Sequence, residues 1–140
     1  MWRTFSILVV VGLLLFTACG SKPSATSTEV QITLTDFAIQ STHTEFQAGV
    51  TYHFVVTNKG QVPHELMIMP PVEVHAGMSM DMEELHEIAL VMVEEEDLPP
   101  GATYSFDFTF TEPAPPGKLE FACHVTGHYE AGMKLGIVVK

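Results

Sequence analysis

Residues 121–133 read FACHVTGHYEAGM and run straight into an apolar segment, LGIVV at 135–139. Cys123, His128 and Met133 are each separated from the next by four residues. A thiolate, an imidazole and a thioether together are the soft donors that a copper ion changing between two oxidation states requires. Gly127 and Gly132 each precede one of these donors and permit the backbone to turn there. A fourth donor must come from elsewhere in the chain.

Working outward, Lys118 to Cys123 (KLEFAC) alternates in polarity, and Met133 to Lys140 supplies a last strand. Thr103 to Thr111 (TYSFDFTFT) alternates as well, with Tyr104, Phe106, Phe108 and Phe110 on one face. EPAPPG at 112–117 reads as a turn between them. Nearer the N-terminus, VQITLTD (30–36) and TYHFVVT (51–57) have the composition and period of half-buried strands. After Pro63, the run HELMIMP places His64, Leu66 and Ile68 on one side and Glu65, Met67 and Met69 on the other. His64 therefore points the same way as core residues at the mouth of a strand. It is the best candidate for the missing ligand.

Short alternating strands separated by Gly and Pro turns predict an all-β fold, an antiparallel Greek-key β-sandwich with one short helical insertion. The insertion falls within residues 70–100, which hold nine of the chain's 17 acidic residues and no Lys or Arg. Asp81 to Glu84 has the D-x-x-E form of a helix start, and the spacing of Met82, Leu85, Ile88, Ala89 and Met92 predicts an amphipathic helix over 81–92, lying across the sheet.

The first 18 residues read as a signal peptide, because the apolar run from Phe5 to Phe16 is short of the roughly 20 residues a membrane span needs. Small residues before Cys19 resemble a bacterial lipoprotein cleavage box, which makes Cys19 the lipidation site. The motif departs at Phe16, where Leu is usual, and an uncleaved anchor is the alternative. Residues 19–29 have the composition of a flexible tether, and 30–140 form the folded domain. The expected location is exported and lipid-anchored, facing the periplasm or the cell exterior. If Cys19 is acylated, Cys123 has no disulfide partner and is a free thiol or a metal ligand. A net charge of −11 repels nucleic acid and anionic headgroups and favours a basic partner.

At these residues the chain resembles the cupredoxins, the blue copper β-sandwich family. The likeness is carried by TYHFVVTNKG, by PHEL with the first His, and by CHVTGHYEAGMKLGIVV, and the Cys-x4-His-x4-Met spacing is most similar to the rusticyanin, sulfocyanin and auracyanin branch. The resemblance implies one type 1 copper ion held strongly by His64, Cys123 and His128, with Met133 as a weak axial ligand. It further implies one-electron transfer through an exposed His128 edge, with Val125, Tyr129, Ala131 and Gly132 as an apolar docking patch. Two features depart from the pattern. Many members have Asn after the first His, where its side chain ties the ligand loops together, and here Glu65 stands in its place. Residues 70–100 match nothing specific in the family.

No H-x-H pair of the kind trinuclear copper sites use is present, and a binuclear centre would need a second Cys in the loop. Alternation points His124 away from Cys123, to solvent or a second sheet. No acid/base pair accompanies the site, so the chain is expected not to be an enzyme. A monomeric electron carrier serving a redox protein, such as a basic cytochrome or a respiratory complex, is the leading expectation. The alternative is copper storage, delivery or resistance. For that reading His75, Met78, Met80 and Met82 form a second copper site, whereas their plainer role is as loop and helix-core residues.

Overall fold

A computed structural model describes residues 27–72 and 81–140. The expected signal peptide, Cys19 and most of the expected tether lie outside the described residues, as do His75, Met78 and Met80. The strands are β1 (Thr28–Thr35), β2 (Ala38–Ser41), β3 (Glu45–Phe46), β4 (Thr51–Asn58), β5 (Leu66–Met69), β6 (Val91–Val93), β7 (Thr103–Thr109), β8 (Ala114–Ala122) and β9 (Lys134–Val139), with helix α1 (Met82–Ile88) between β5 and β6. They form a sandwich of two sheets, ordered β2-β1-β4-β7 and β3-β9-β8-β5-β6.

The alternation in the sequence is what builds the core. Val30, Ile32 and Leu34 of β1 and Tyr52, Phe54 and Val56 of β4 all turn inward, against Leu66, Ile68, Leu119, Phe121, Ile137 and Val139 of the other sheet. Phe46 sits at the centre, its ring 4.9 Å from Phe110 and 5.0 Å from Tyr52. Removing each such ring from water contributes about 1.5–3 kcal/mol. β7 is an edge strand, so of its expected apolar face only Phe110, just beyond the strand, is fully buried, while Tyr104 is exposed.

The sheets are mixed, where purely antiparallel pairing was expected. β1 pairs with β4 in parallel, and β3 pairs with β9 in parallel. The cause is the route of the chain: after β2 it leaves the first sheet, contributes β3 to the second, and returns as β4. A parallel neighbour requires such a crossover. EPAPPG is likewise more than a turn, because β8 begins at Ala114 and passes through Pro115 and Pro116 with a break in register before Leu119. Proline has no N–H to give a ladder and is accommodated at such irregularities. Gly117, with φ 80°, makes the bend.

The helix is shorter than 81–92. Asp81 caps it, its carboxylate accepting from the Glu83 N–H, and the chain turns extended at Ala89. Val91-Met92-Val93, rich in β-branched residues, then adds the edge strand β6 to β5. Helix and edge strand cover the outer face of the second sheet, where Met67, Met69, Leu85, Ala122 and Tyr129 form a second core. β5 is consequently buried on both faces, at all four positions.

Candidate metal centre

Cys123 follows directly on β8 and Met133 directly precedes β9, so the two ends of the loop between them are held by a strand pair. The Cys123 N–H donates to the Met133 carbonyl (3.1 Å), and the Met133 N–H donates to the His128 carbonyl (3.0 Å). Further bonds from the His128 N–H to Val125 O (2.8 Å) and from the Gly132 N–H to Tyr129 O (2.9 Å) tighten the loop. Gly127 and Gly132 take φ values of 82° and 97°, the left-handed region glycine enters without strain.

His64 enters just ahead of β5, fully buried, its N–H donating to the Leu98 carbonyl at 3.2 Å. Asn58 reinforces that anchor by donating to both Val62 O and Leu98 O at 2.8 Å. Thus the far end of the acidic segment helps position a ligand. β5 is hydrogen-bonded to β8, so His64 ties the loop to a neighbouring strand of its own sheet. The pairing Met67↔Ala122 and Ile68↔Phe121, continued past the strand ends, sets Glu65 opposite His124 and brings His64 beside Cys123.

Three donor atoms converge. His64 Nδ1 lies 3.2 Å from His128 Nδ1, and Cys123 Sγ lies 3.9 Å and 3.5 Å from these two nitrogens. All three residues are buried, and all three atoms fall within 4.8 Å of one another. Met133 is fully buried in the same core cluster as Cys123. Two imidazole nitrogens facing each other beside a thiol, out of water, are poorly served by a shared proton and well served by a metal ion. Two imidazoles, a thiolate and an adjacent thioether are the donor set of a type 1 copper site.

The electrostatics fit a site that exchanges a proton for a metal ion. Burial pushes the Cys123 thiol up to about 11, with the Glu65 and Val125 backbone N–H groups acting in the opposite direction. Burial also lowers the His64 imidazole, helped by His128 and opposed by Asp36. Without metal the site therefore holds a neutral thiol and a neutral His64 at neutral pH.

Glu65 performs the tie that its departure from the family pattern put in question. It is only 3% exposed, and its carboxylate accepts the His124 N–H at 2.6 Å, joining the His64 segment to the Cys123 segment. His124 is turned from Cys123 as alternation requires, onto the second core: its ring stacks on Tyr129 at 4.2 Å. The Tyr129 hydroxyl donates to Glu120 at 2.6 Å, and Lys134 Nζ lies 4.1 Å from the ring centroid. Tyr129 is 1% exposed and so has no place in a docking patch, unlike the exposed Ala131 and Gly132 and the half-buried Val125.

His128 is itself only 7% exposed, where an open edge was expected, because Phe37 packs edge-on against it at 5.3 Å. Phe37 is 54% exposed and belongs to the β1–β2 turn, with Asp36 beside it. Neither residue stood out in the sequence. The one available signal was the end of the β1 alternation at Asp36. Met82, the described member of the second candidate copper site, is an exposed residue at the start of α1, bordering a concavity with Glu65, Glu94, Glu95, Glu96 and His124.

The chain matches the cupredoxin-like domain family over residues 7–135, and it belongs to that family. Auracyanin from Roseiflexus castenholzii shares the fold with a TM-score of 0.56 at 22% identity, over 83% of this chain and 98% of that one. Reduced rusticyanin does so with a TM-score of 0.55 at 19% identity, over 81% of each chain. A copper-resistant cuproprotein, CopI of Pseudomonas aeruginosa, is 24% identical over 167 residues, covering 90% of both chains.

Proposed function

We propose that this protein is an exported, lipid-anchored electron carrier in which His64, Cys123, His128 and Met133 hold one copper ion. The observation that carries this reading is the convergence of His64 Nδ1, Cys123 Sγ and His128 Nδ1 in one buried space framed by a strand pair and a hydrogen-bonded loop. Copper, when bound, supplies the one-electron couple. The protein's own part is to hold the donors still. The backbone bonds across Cys123, His128 and Met133, the Glu65 tie and the Leu98 anchor on His64 leave the ligands little freedom to rearrange. Cys123 gives up its proton on loading, and the His128 edge faces the surface turn, where Phe37 covers it. The exposed acidic residues Glu94, Glu95 and Glu96 steer a basic redox partner toward this side of the molecule. Cys19 supplies the lipid anchor.

Copper resistance is the second reading, favoured by the likeness to CopI, whose name states that role. The two are separated by metal stoichiometry and colour. An electron carrier binds one copper per chain with an intense visible Cu(II)–thiolate band that Cys123→Ala abolishes. A storage or resistance protein takes up more than one copper, and loses the excess on changing Met78, Met80 and Met82 together.

A further inference from the structure

The β1–β2 turn reaches both imidazoles of the site, although it lies 28 residues before His64 in its Asp36 and makes no contribution to the donor set. Phe37 covers His128, as described. Asp36 stands on the far side of His64. With Nδ1 turned to the donor cluster, the ring's other nitrogen, Nε2, is fully buried and has no hydrogen-bond partner. The acidic oxygen facing it is Asp36 Oδ1, at 3.5 Å.

That oxygen is held by the loop that follows β4. It accepts the Gln61 N–H at 2.9 Å. Asn58 accepts the Gly60 N–H at 2.8 Å and fixes the loop beneath it. Gly60 passes so close that a Cβ there would collide with Asp36 Oδ1 and lie 2.7 Å from His64 Nε2, so only glycine leaves the two groups facing each other. The turn also carries strain, because Phe37 takes φ 66°, an outlying conformation for a bulky side chain. Strain of this kind persists where surrounding contacts impose it, and it clusters at functional sites.

We infer that Asp36 is the positioning residue for His64: its carboxylate accepts the Nε2–H of the imidazole once Nδ1 is committed to the metal, and its charge favours the oxidised ion. This rests on the copper reading above. When one ring nitrogen of a histidine binds a metal, the other carries the proton and needs an acceptor. A carboxylate in that position fixes the ring and strengthens the ligand. A negative charge near the site also stabilises the more highly charged oxidation state, with an effect limited by water because the Asp36 side chain is 41% exposed.

The test uses Asp36→Asn, which keeps the shape and an acceptor for Gln61 but removes the charge, together with Asp36→Ala and Asp36→Glu. Asp36→Asn is expected to shift the preference between Cu(II) and Cu(I) toward Cu(I) about tenfold, a rise of 59 mV in midpoint potential for one electron. Asp36→Ala rises at least as far and binds Cu(II) about ten- to a hundredfold more weakly, while Asp36→Glu stays nearer the wild type. A second readout is independent of the potential. In the diamagnetic Cu(I) protein, nitrogen-15 NMR should show a slowly exchanging His64 Nε2–H, and exchange should accelerate at least tenfold in Asp36→Ala. A merely structural Asp36 would lower the melting temperature and leave both readouts unmoved, and that result overturns the inference. Absence of the thiolate band from the wild type would instead defeat the copper reading itself.

Discussion

Replacing Glu65 tests whether the two ligand segments are joined as the structure has them. Its carboxylate is buried and accepts the His124 N–H at 2.6 Å. Glu65→Ala removes a charge-assisted bond, leaves a backbone N–H without its partner, and opens a small void. Loss of a hydrogen bond to a charged group costs about 1.5–3 kcal/mol, and the void adds to it, so a destabilisation of about 2–4 kcal/mol is expected. For a domain of this size that is a fall in melting temperature of roughly 4 °C per kcal/mol. Glu65→Gln keeps an acceptor and is expected to lose about 1 kcal/mol or less.

The pH dependence distinguishes the two further. Burial, the largest cause, holds the folded Glu65 carboxyl above its ordinary value of 4.5, while the His124 bond pulls it down. Because the folded state retains the proton to higher pH than the unfolded chain, this group's contribution falls as pH rises from the unfolded value through the folded one. In metal-free protein the wild type should therefore lose stability relative to Glu65→Gln over that rise. Thermal and urea unfolding followed by circular dichroism provide the assay. A Glu65→Ala protein as stable as the wild type would refute the reasoning.

Other consequences follow from the same geometry. With the Cys123 thiol near 11 in the metal-free protein, copper loading at pH 7 should release about one proton per chain, seen as a buffer-dependent enthalpy in titration calorimetry, and apparent affinity should rise about tenfold per pH unit. Phe37→Gly relieves a left-handed backbone and is expected to raise stability by about 1 kcal/mol, measured by urea unfolding, while uncovering His128 and speeding electron self-exchange. Tyr129→Phe breaks the bond to Glu120 and should cost about 1–2 kcal/mol in the same unfolding assay, leaving the copper spectrum unchanged because the hydroxyl faces the second core.

The ligand loop was legible because its information is local: Cys123, His128 and Met133 lie within eleven residues, between a strand that alternates and one that begins. His64 was legible from a period of two, which fixes the side to which a side chain points. The remainder depends on neighbours that periodicity does not name. The parallel pairs β1–β4 and β3–β9 are set by where the chain crosses between sheets. Met67 and Met69 read as an outward face because nothing in β5 announces that α1 and β6 will cover it. Tyr129 read as a surface residue of the loop, but the stack with His124 and the bond to Glu120 draw it inward. Asp36 and Phe37 matter only through the fold, which brings a turn from the other sheet against His64 and His128. Glu65 was noticed as a departure, and its role became clear only from the register that sets it opposite His124.

The central claim is that three buried donors and Met133 form one copper site that carries one electron. The most direct measurement is the visible absorption of the purified protein titrated with Cu(II), alongside metal analysis and the Cys123→Ala variant. The account predicts one copper per chain, an intense thiolate band that saturates at one equivalent, reversible bleaching by a one-electron reductant, and no band in Cys123→Ala. A colourless complex, or a band that survives loss of Cys123, would contradict it.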